Sequence, residues 1–254
     1  MEKFIFRTTG ELAAAAAGNA AKTVRDAIKA RGRANIILAT GASQIEMLGR
    51  LTAAEGVDWS KVTMFHLDEY IGIGPDHPAS FRKYLRERFV EEVGNLKAAH
   101  FVDGDADDPK RECKRLGEII REHPIDAAMI GIGENGHLAC NDPPADFQTE
   151  EPYIVVELDE KCRKQQLGEG WFETLEQVPR RAISMSIRQI MKSARLIVTV
   201  PDRRKAEAVK NALEGPVRPQ CPASILQRHG RCKIFLDSES ARLLSFRQDS
   251  QGGQ

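Results

Sequence analysis

The sequence predicts an α/β protein built in three layers, α/β/α, with a mostly parallel sheet covered by helices on both faces. Helical and strand-like periodicities alternate along the 254 residues, and a strand-like run such as NIILAT is short, apolar and branched. A strand that is apolar on both faces has to be buried on both. In a parallel sheet the helical crossovers supply that cover. Three segments of small or ionisable residues also fall where strand-like runs end, and the carboxyl edge is where a Rossmann-like sheet places its sites.

The elements follow in order. Alanine, valine and isoleucine recur at helical spacing among Lys, Arg and Asp from Glu11 to Ala30, which predicts a long first helix. NIILAT, Asn35 to Thr40, is a branched apolar run and reads as a buried strand; it opens into Gly41, Ala42 and Ser43, then a helix from Gln44 to Ala54. VTMFHLDEY predicts a strand ending near Asp68, and PASFRKYLRERFVEEVG, Pro78 to Gly94, a helix. DAAMIGIG is a further strand, YIVVEL and AISMSI two more, and RLIVTV the last buried strand, ahead of a helix from Asp202 to Leu213. No repeat or linker divides the chain, so residues 1–247 are expected to form one domain and the polar 248–254 a disordered tail.

Composition excludes several functions. Lys plus Arg and Asp plus Glu each number 37, so no net field draws nucleic acid or an anionic membrane to the surface, and neither is expected as a partner. A bound phosphate has to be held locally. No apolar run approaches the roughly 20 residues that span a bilayer, and MEKFIFRTTG lacks an apolar core with a cleavage site, so a cytoplasmic protein is expected. The five cysteines (113, 140, 162, 221 and 232) contain no C-x-x-C pair and read as reduced packing thiols, not disulfides or a zinc site.

At the first strand end, TGAS can turn the backbone N–H groups of Gly41, Ala42 and Ser43 and a helix start toward an anion; the plainer reading is a tight turn with Ser43 as helix cap. It is neither a P-loop nor a dinucleotide fingerprint. Lys205, just after RLIVTV, is placed to add a cation, although most helix lysines are simply solvated. At the second end, Asp68 or Glu69 should face the space above the sheet, where a carboxylate can act as general base; alone, the dipeptide equally suits a turn cap. His66, Asp68 and His137 could be read as metal ligands, but nothing in their spacing is diagnostic and no metal is expected. At the third end, GENGH, Gly133 and Gly136 let the backbone bend close to a ligand. Asn135 and Asp142 bring polar partners to His137, and a carboxylate can fix an imidazole's tautomer. No G-x-S-x-G elbow is present, and neither Cys140 nor Ser43 has a triad around it, so acyl chemistry is not expected.

LATGAS, FHLDEYIGI with HPASF after it, GIGENGHLACNDP, and RRKAEAVKNALEGPV with PASILQRH occur in an order and spacing that resemble the glucosamine-6-phosphate deaminase family, from about Ile36 to His229. That family shares its fold with 6-phosphogluconolactonases, which usually continue G-H into a T-A-S-L-F-P-like run; HLACNDP resembles the deaminase version. The resemblance implies an aldose–ketose isomerisation coupled to loss of ammonia, glucosamine 6-phosphate and water giving fructose 6-phosphate and ammonium, with no metal or organic cofactor. It implies that Asp68 moves the C2 proton to C1, that His137 assists ring opening with Asn135 and Asp142 behind it, and that Gly41, Ala42, Ser43 and Lys205 hold the phosphate beside Gly133 and Gly136. The chain departs from the family at several points. Asn135 stands where some members have aspartate, Asp142 where glutamate is common, and TGAS lacks a second glycine. Gln166 lies where many place a phosphate-binding arginine, so either Arg163 or Lys164 supplies that cation or the phosphate is bound differently. Three alternatives remain open: a 6-phosphogluconolactonase, a galactosamine-6-phosphate deaminase, and a non-catalytic sugar-phosphate sensor. The partner implied is a small amino-sugar phosphate, and a homo-oligomer is left open.

Overall fold

In the computed structural model, which describes residues 1–168 and 170–245, the chain runs through β1 (Glu2–Phe6), α1 (Thr9–Arg31), β2 (Ala34–Leu38), α2 (Ile45–Thr52), β3 (Val62–His66), β4 (Asp68–Tyr70), α3 (Phe81–Leu85), α4 (Glu91–Val93), β5 (Ala98–His100), α5 (Pro109–Arg121), β6 (Ala127–Ile130), β7 (Tyr153–Glu157), α6 (Glu160–Gly168), β8 (Arg181–Met185), α7 (Ile187–Met191), β9 (Leu196–Val200), α8 (Ala206–Glu214) and β10 (Cys232–Asp237). The tail expected at 248–254 lies outside the described residues.

Seven strands form one sheet in the order β1-β10-β9-β6-β2-β3-β5, and every neighbouring pair is parallel. The strands are apolar on both faces because each face has its own core. Ile36 and Leu38 of β2 pack with α1 and α2, while Ile37 between them packs with residues of α5, α7 and α8 on the other side. Helix α1 earns its place through Thr8 and Glu11, which form a capping box at its start, and through a face of Ala13, Ala16, Ala17, Ala20 and Ala21 small enough to lie close on the sheet. The chain first builds outward from β2 through β3, then returns to β2's other side with β6. That reversal is a topological switch point, and it opens a crevice at the carboxyl ends of β2 and β6.

The observed elements correct several sequence expectations. YIVVEL and AISMSI do not join the parallel sheet; as β7 and β8 they make a separate antiparallel sheet with β4, in the order β4-β8-β7. The strand expected to run on to Asp68 leaves the main sheet after His66, since Leu67 O accepts from Met185 N at 2.9 Å and turns the chain onto β8. RLIVTV is not the last strand, because β10 inserts between β1 and β9. Helices α2 and α8 each begin after a 3-10 turn, at Ala42–Gln44 and Arg203–Lys205, and α3 begins at Phe81 with Ser80 as its cap before a π turn at Arg86–Val90. All five cysteines are free and buried, as expected. No helix among the described residues is long and apolar enough to cross a membrane.

Candidate active site

The loops after β2, β6 and β9 converge at the switch point, and β4 closes the space beside them to leave a cleft of about 280 Å³. Gly41, Ala42, Ser43, Arg204 and Lys205 line it together with Asp68, Gly133, His137 and Cys140, and Gln166 of α6 forms part of the wall.

The loop after β2 is built for close approach. Gly41 has φ 92°, a conformation that costs a glycine nothing, and its carbonyl accepts from the Tyr84 hydroxyl at 3.0 Å. Gln44 is fully buried: its Nε2 donates to Ser43 Oγ at 3.1 Å and its Oε1 accepts from Thr199 Oγ1 at 3.0 Å, which ties this loop to β9. Lys205 is 7% exposed and follows Asp202, which accepts from Arg204 N at 2.9 Å. Asp202 (φ 85°) and Ala139 (φ 53°) are the two non-glycine residues with left-handed backbones among those described, and both line the cleft. A nearly buried ammonium beside turned backbone N–H groups suits a dianion.

The loop after β6 carries a relay of polar groups. His137 N donates to Asn135 Oδ1 at 3.0 Å, and His137 Nδ1 lies 3.1 Å from Asp142 Oδ1. Asn135 Nδ2 donates to Asp142 Oδ1 at 2.9 Å and to Asp159 Oδ2 at 3.2 Å, while Asp159 N donates to Asp142 Oδ2 at 2.9 Å. Burial pushes the Asp142 carboxyl up, but the hydrogen bonds from His137, Asn135 and Asp159 N and the His137 charge outweigh it and hold the group below the usual carboxylate range. With Nδ1 engaged by Asp142, Nε2 is the nitrogen left to serve a ligand. The ring lies directly over Gly133, where an added Cβ would meet Nε2 at 2.2 Å; only glycine admits the imidazole there.

Asp68 is 6% exposed, and burial raises its carboxyl to about 6 against the opposing effects of the Cys140 thiol and the His137 charge. Cys140 Sγ lies 3.1 Å from Asp68 Oδ2. Its neighbour Glu69 points the other way, where its carboxylate accepts from Tyr70 N, Ser80 Oγ, Phe81 N and Arg82 N and so caps α3. The second sheet holds the two catalytic candidates in register. Asp68 pairs with Ser184, Cys140 N donates to Ser184 Oγ, and Asn141 Nδ2 donates to Leu138 O, Ser184 Oγ and Met185 O.

Other expected site residues sit differently. Arg163 is turned away from the cleft, because its guanidinium donates to the carbonyls of Leu175 and Val178. Lys164 is exposed and paired with Glu160. The cations that line the cleft are Lys205 and Arg204, the second of which the sequence did not single out. Gln166 is buried, and its Oε1 has no hydrogen-bond partner among the described residues. Asn135 and Asp142 act behind His137, and Gly136 (φ 84°) shapes the turn. His66 is fully buried and takes Val102 N on Nδ1; burial lowers its pKa to about 3, and it does not group with Asp68 and His137. Among the described residues, the cluster with metal-ligand potential is His137, Asp142 and Cys162, whose ligating atoms lie within 4.8 Å of one another. Burial and the Asp142 and Asp159 carboxylates push the Cys162 thiol far up, so this third member favours its protonated form. Asp159, Gln44 and Tyr84 went unremarked in the sequence, since each works through a contact distant along the chain.

A family model described as glucosamine-6-phosphate isomerases/6-phosphogluconolactonase matches residues 7–234. A curated glucosamine-6-phosphate deaminase of Exiguobacterium sibiricum is 38% identical over 208 residues, covering 82% of this chain and 80% of that protein. One from Lactobacillus delbrueckii subsp. bulgaricus is 33% identical over 246 residues, 96% of this chain and 100% of that one. A solved monomeric glucosamine-6-phosphate deaminase matches with TM-score 0.86 at 30% identity, over 96% of this chain and 100% of the other. A 6-phosphogluconolactonase from Shewanella baltica matches with TM-score 0.75 at 18% identity, over 93% and 97%, a likeness of fold.

Proposed function

The chain belongs to the glucosamine-6-phosphate isomerase/6-phosphogluconolactonase family, and from that membership and its cleft we propose that it is a glucosamine-6-phosphate deaminase, converting glucosamine 6-phosphate and water to fructose 6-phosphate and ammonium. The observation that carries this reading is a buried carboxylate, Asp68, sharing one cleft with a carboxylate-backed imidazole, His137, and a nearly buried lysine, Lys205.

Each step then has a residue. The phosphate rests on the Gly41–Ser43 backbone and Lys205, which fixes the sugar's other end over Asp68 and His137. His137 Nε2 takes the proton of the C1 hydroxyl and returns it to the ring oxygen, so the pyranose opens to the aldehyde; Asp142 holds the imidazolium formed in between. Asp68 removes the C2 proton, the C–H electrons form the C1–C2 double bond and the carbonyl electrons move onto the C1 oxygen, which takes a proton from the C2 ammonium to give the enolamine. The same carboxyl returns the proton to C1. That leaves a C2 iminium; water adds to C2 and the nitrogen departs as ammonia. Gln166 Oε1 can accept from a sugar hydroxyl or the ammonium. Every step is a proton transfer or a water addition, so the reaction is proposed to run without metal or organic cofactor.

The curated relatives at 33–38% identity are deaminases, whereas the lactonase likeness rests on fold at 18%. The sugar phosphate is a charged metabolite, and the reaction is proposed for the cytoplasm. We read residues 1–247 as one domain and the protein as a monomer like its solved relative, for which light scattering should give the mass of one chain, 28.2 kDa. The substrate test offers glucosamine 6-phosphate, galactosamine 6-phosphate and 6-phosphogluconolactone side by side, with a chelator present. Ammonium should come from the first in equal amount with fructose 6-phosphate. Faster turnover of the epimer or the lactone would assign the cleft to that substrate instead.

A further inference from the structure

The loop that carries His137 and Asp142 also touches Asp68, through one atom. Cys140 lies three residues after His137 and two before Asp142, and its Sγ is 3.1 Å from Asp68 Oδ2 in a fully buried contact. Its backbone is fixed independently, since Cys140 N donates to Ser184 Oγ on the strand paired with Asp68. That bond to the second sheet fixes the backbone from which the buried thiol reaches Asp68. Burial and the adjacent Asp68 carboxylate both push the thiol well above its ordinary pKa, so it keeps its proton and serves as a donor.

We propose that Cys140 is a positioning residue for the general base: its thiol occupies Asp68 Oδ2, leaves Oδ1 to meet the sugar's C2 and C1, and as a weak donor keeps the carboxylate basic. The inference rests on Asp68 being the base. A carboxylate that must collect a carbon-bound proton and return it one atom further on needs one oxygen in a constant place. A free carboxylate would rotate. A hydroxyl in the same position would hold it as firmly, but a stronger hydrogen bond to the charged form lowers the affinity for the proton that has to be taken.

The test compares Cys140→Ala and Cys140→Ser with wild type in the pH profile of kcat for glucosamine 6-phosphate, which reports the base in the bound complex. Removing the donor should move the acid limb upward by about half a pH unit, and the stronger donor should move it downward by a similar amount, a shift in the range of one weak hydrogen bond. KM should stay within about twofold, since the group addresses the base and not the phosphate. A residue that only fills space would not move the limb in opposite directions in two variants that are both smaller or equal in size. Limbs that coincide with wild type in both variants, while Asp68→Asn abolishes turnover, would overturn the role of Cys140 alone. Asp68→Asn turning over at near wild-type rate would instead overturn the assignment of the base. If the alanine variant fails to fold, the serine variant decides by the direction of its limb.

Discussion

Asp68 and Glu69 are adjacent carboxylates that strand alternation sends to opposite surroundings. Asp68 faces the cleft, where burial raises it to about 6, and Glu69 caps α3, where burial raises it to about 7 against four hydrogen bonds. Only the ionised form of Asp68 can take the C2 proton. Activity is therefore present above the raised pKa and lost as pH falls through it, and kcat should drop about tenfold per unit well below pH about 6. A limb near the ordinary carboxylate value of about 4 would mean that a solvated acid is the base. Gly133 makes a second residue-level prediction, because its added Cβ would sit 2.2 Å from His137 Nε2. Gly133→Ala should displace the imidazole and lower kcat about a hundredfold with the circular dichroism spectrum unchanged; wild-type kcat would show that the ring's seat over Gly133 is dispensable. His137, Asn135 and Asp142 were legible in the sequence because they lie within one short turn. The orientation of Arg163 was not legible, for the opposite reason. Whether a guanidinium enters a cleft or binds the carbonyls of Leu175 and Val178 depends on residues more than ten positions away.

At the scale of elements, the small sheet of β4, β8 and β7 joins Asp68 to the loop of His137 and Asp142. It was hidden because β3 and β4 are separated by Leu67 alone and read as one run, and because the three residues of β4 are too few to leave a periodicity. The buried parallel strands were plain from their unbroken apolar character, as with Asn35 to Thr40. β1 and β10 were missed: β1 is an edge strand with polar residues exposed, and β10 starts with Cys232 and Lys233. Asn141 pins the relay loop to the small sheet by donating to Leu138 O, Ser184 Oγ and Met185 O, all buried. Asn141→Ala strands those acceptors, and denaturant unfolding should register a loss of about 1–3 kcal/mol together with a reduced kcat. Unchanged stability would mean that another group takes up the carbonyls.

Across the whole molecule, the reversal of strand order at β2 and β6 brings together loops whose residues Gly41, Gly133 and Lys205 are far apart in sequence, and this is why the site is assembled only by folding. The alternation of elements announced such a crevice, and three strand-end segments named part of its lining. The contacts that hold it in shape, Gln44 to Thr199 and Tyr84 to Gly41, link elements whose adjacency only the topology supplies. With equal numbers of acidic and basic residues and a cleft containing Lys205, the protein concentrates its attraction for an anion at one point. In the proposed reaction Asp68 moves a proton between two carbons of a phosphosugar held there. The most direct measurement is turnover of glucosamine 6-phosphate by wild type and Asp68→Asn, with sugar-phosphate binding followed by calorimetry in the same preparations. Equal yields of ammonium and fructose 6-phosphate from wild type, with turnover reduced at least about a thousandfold and binding retained in the variant, is the predicted result. Undiminished product formation by Asp68→Asn, or sugar-phosphate binding by wild type without ammonium, would contradict it.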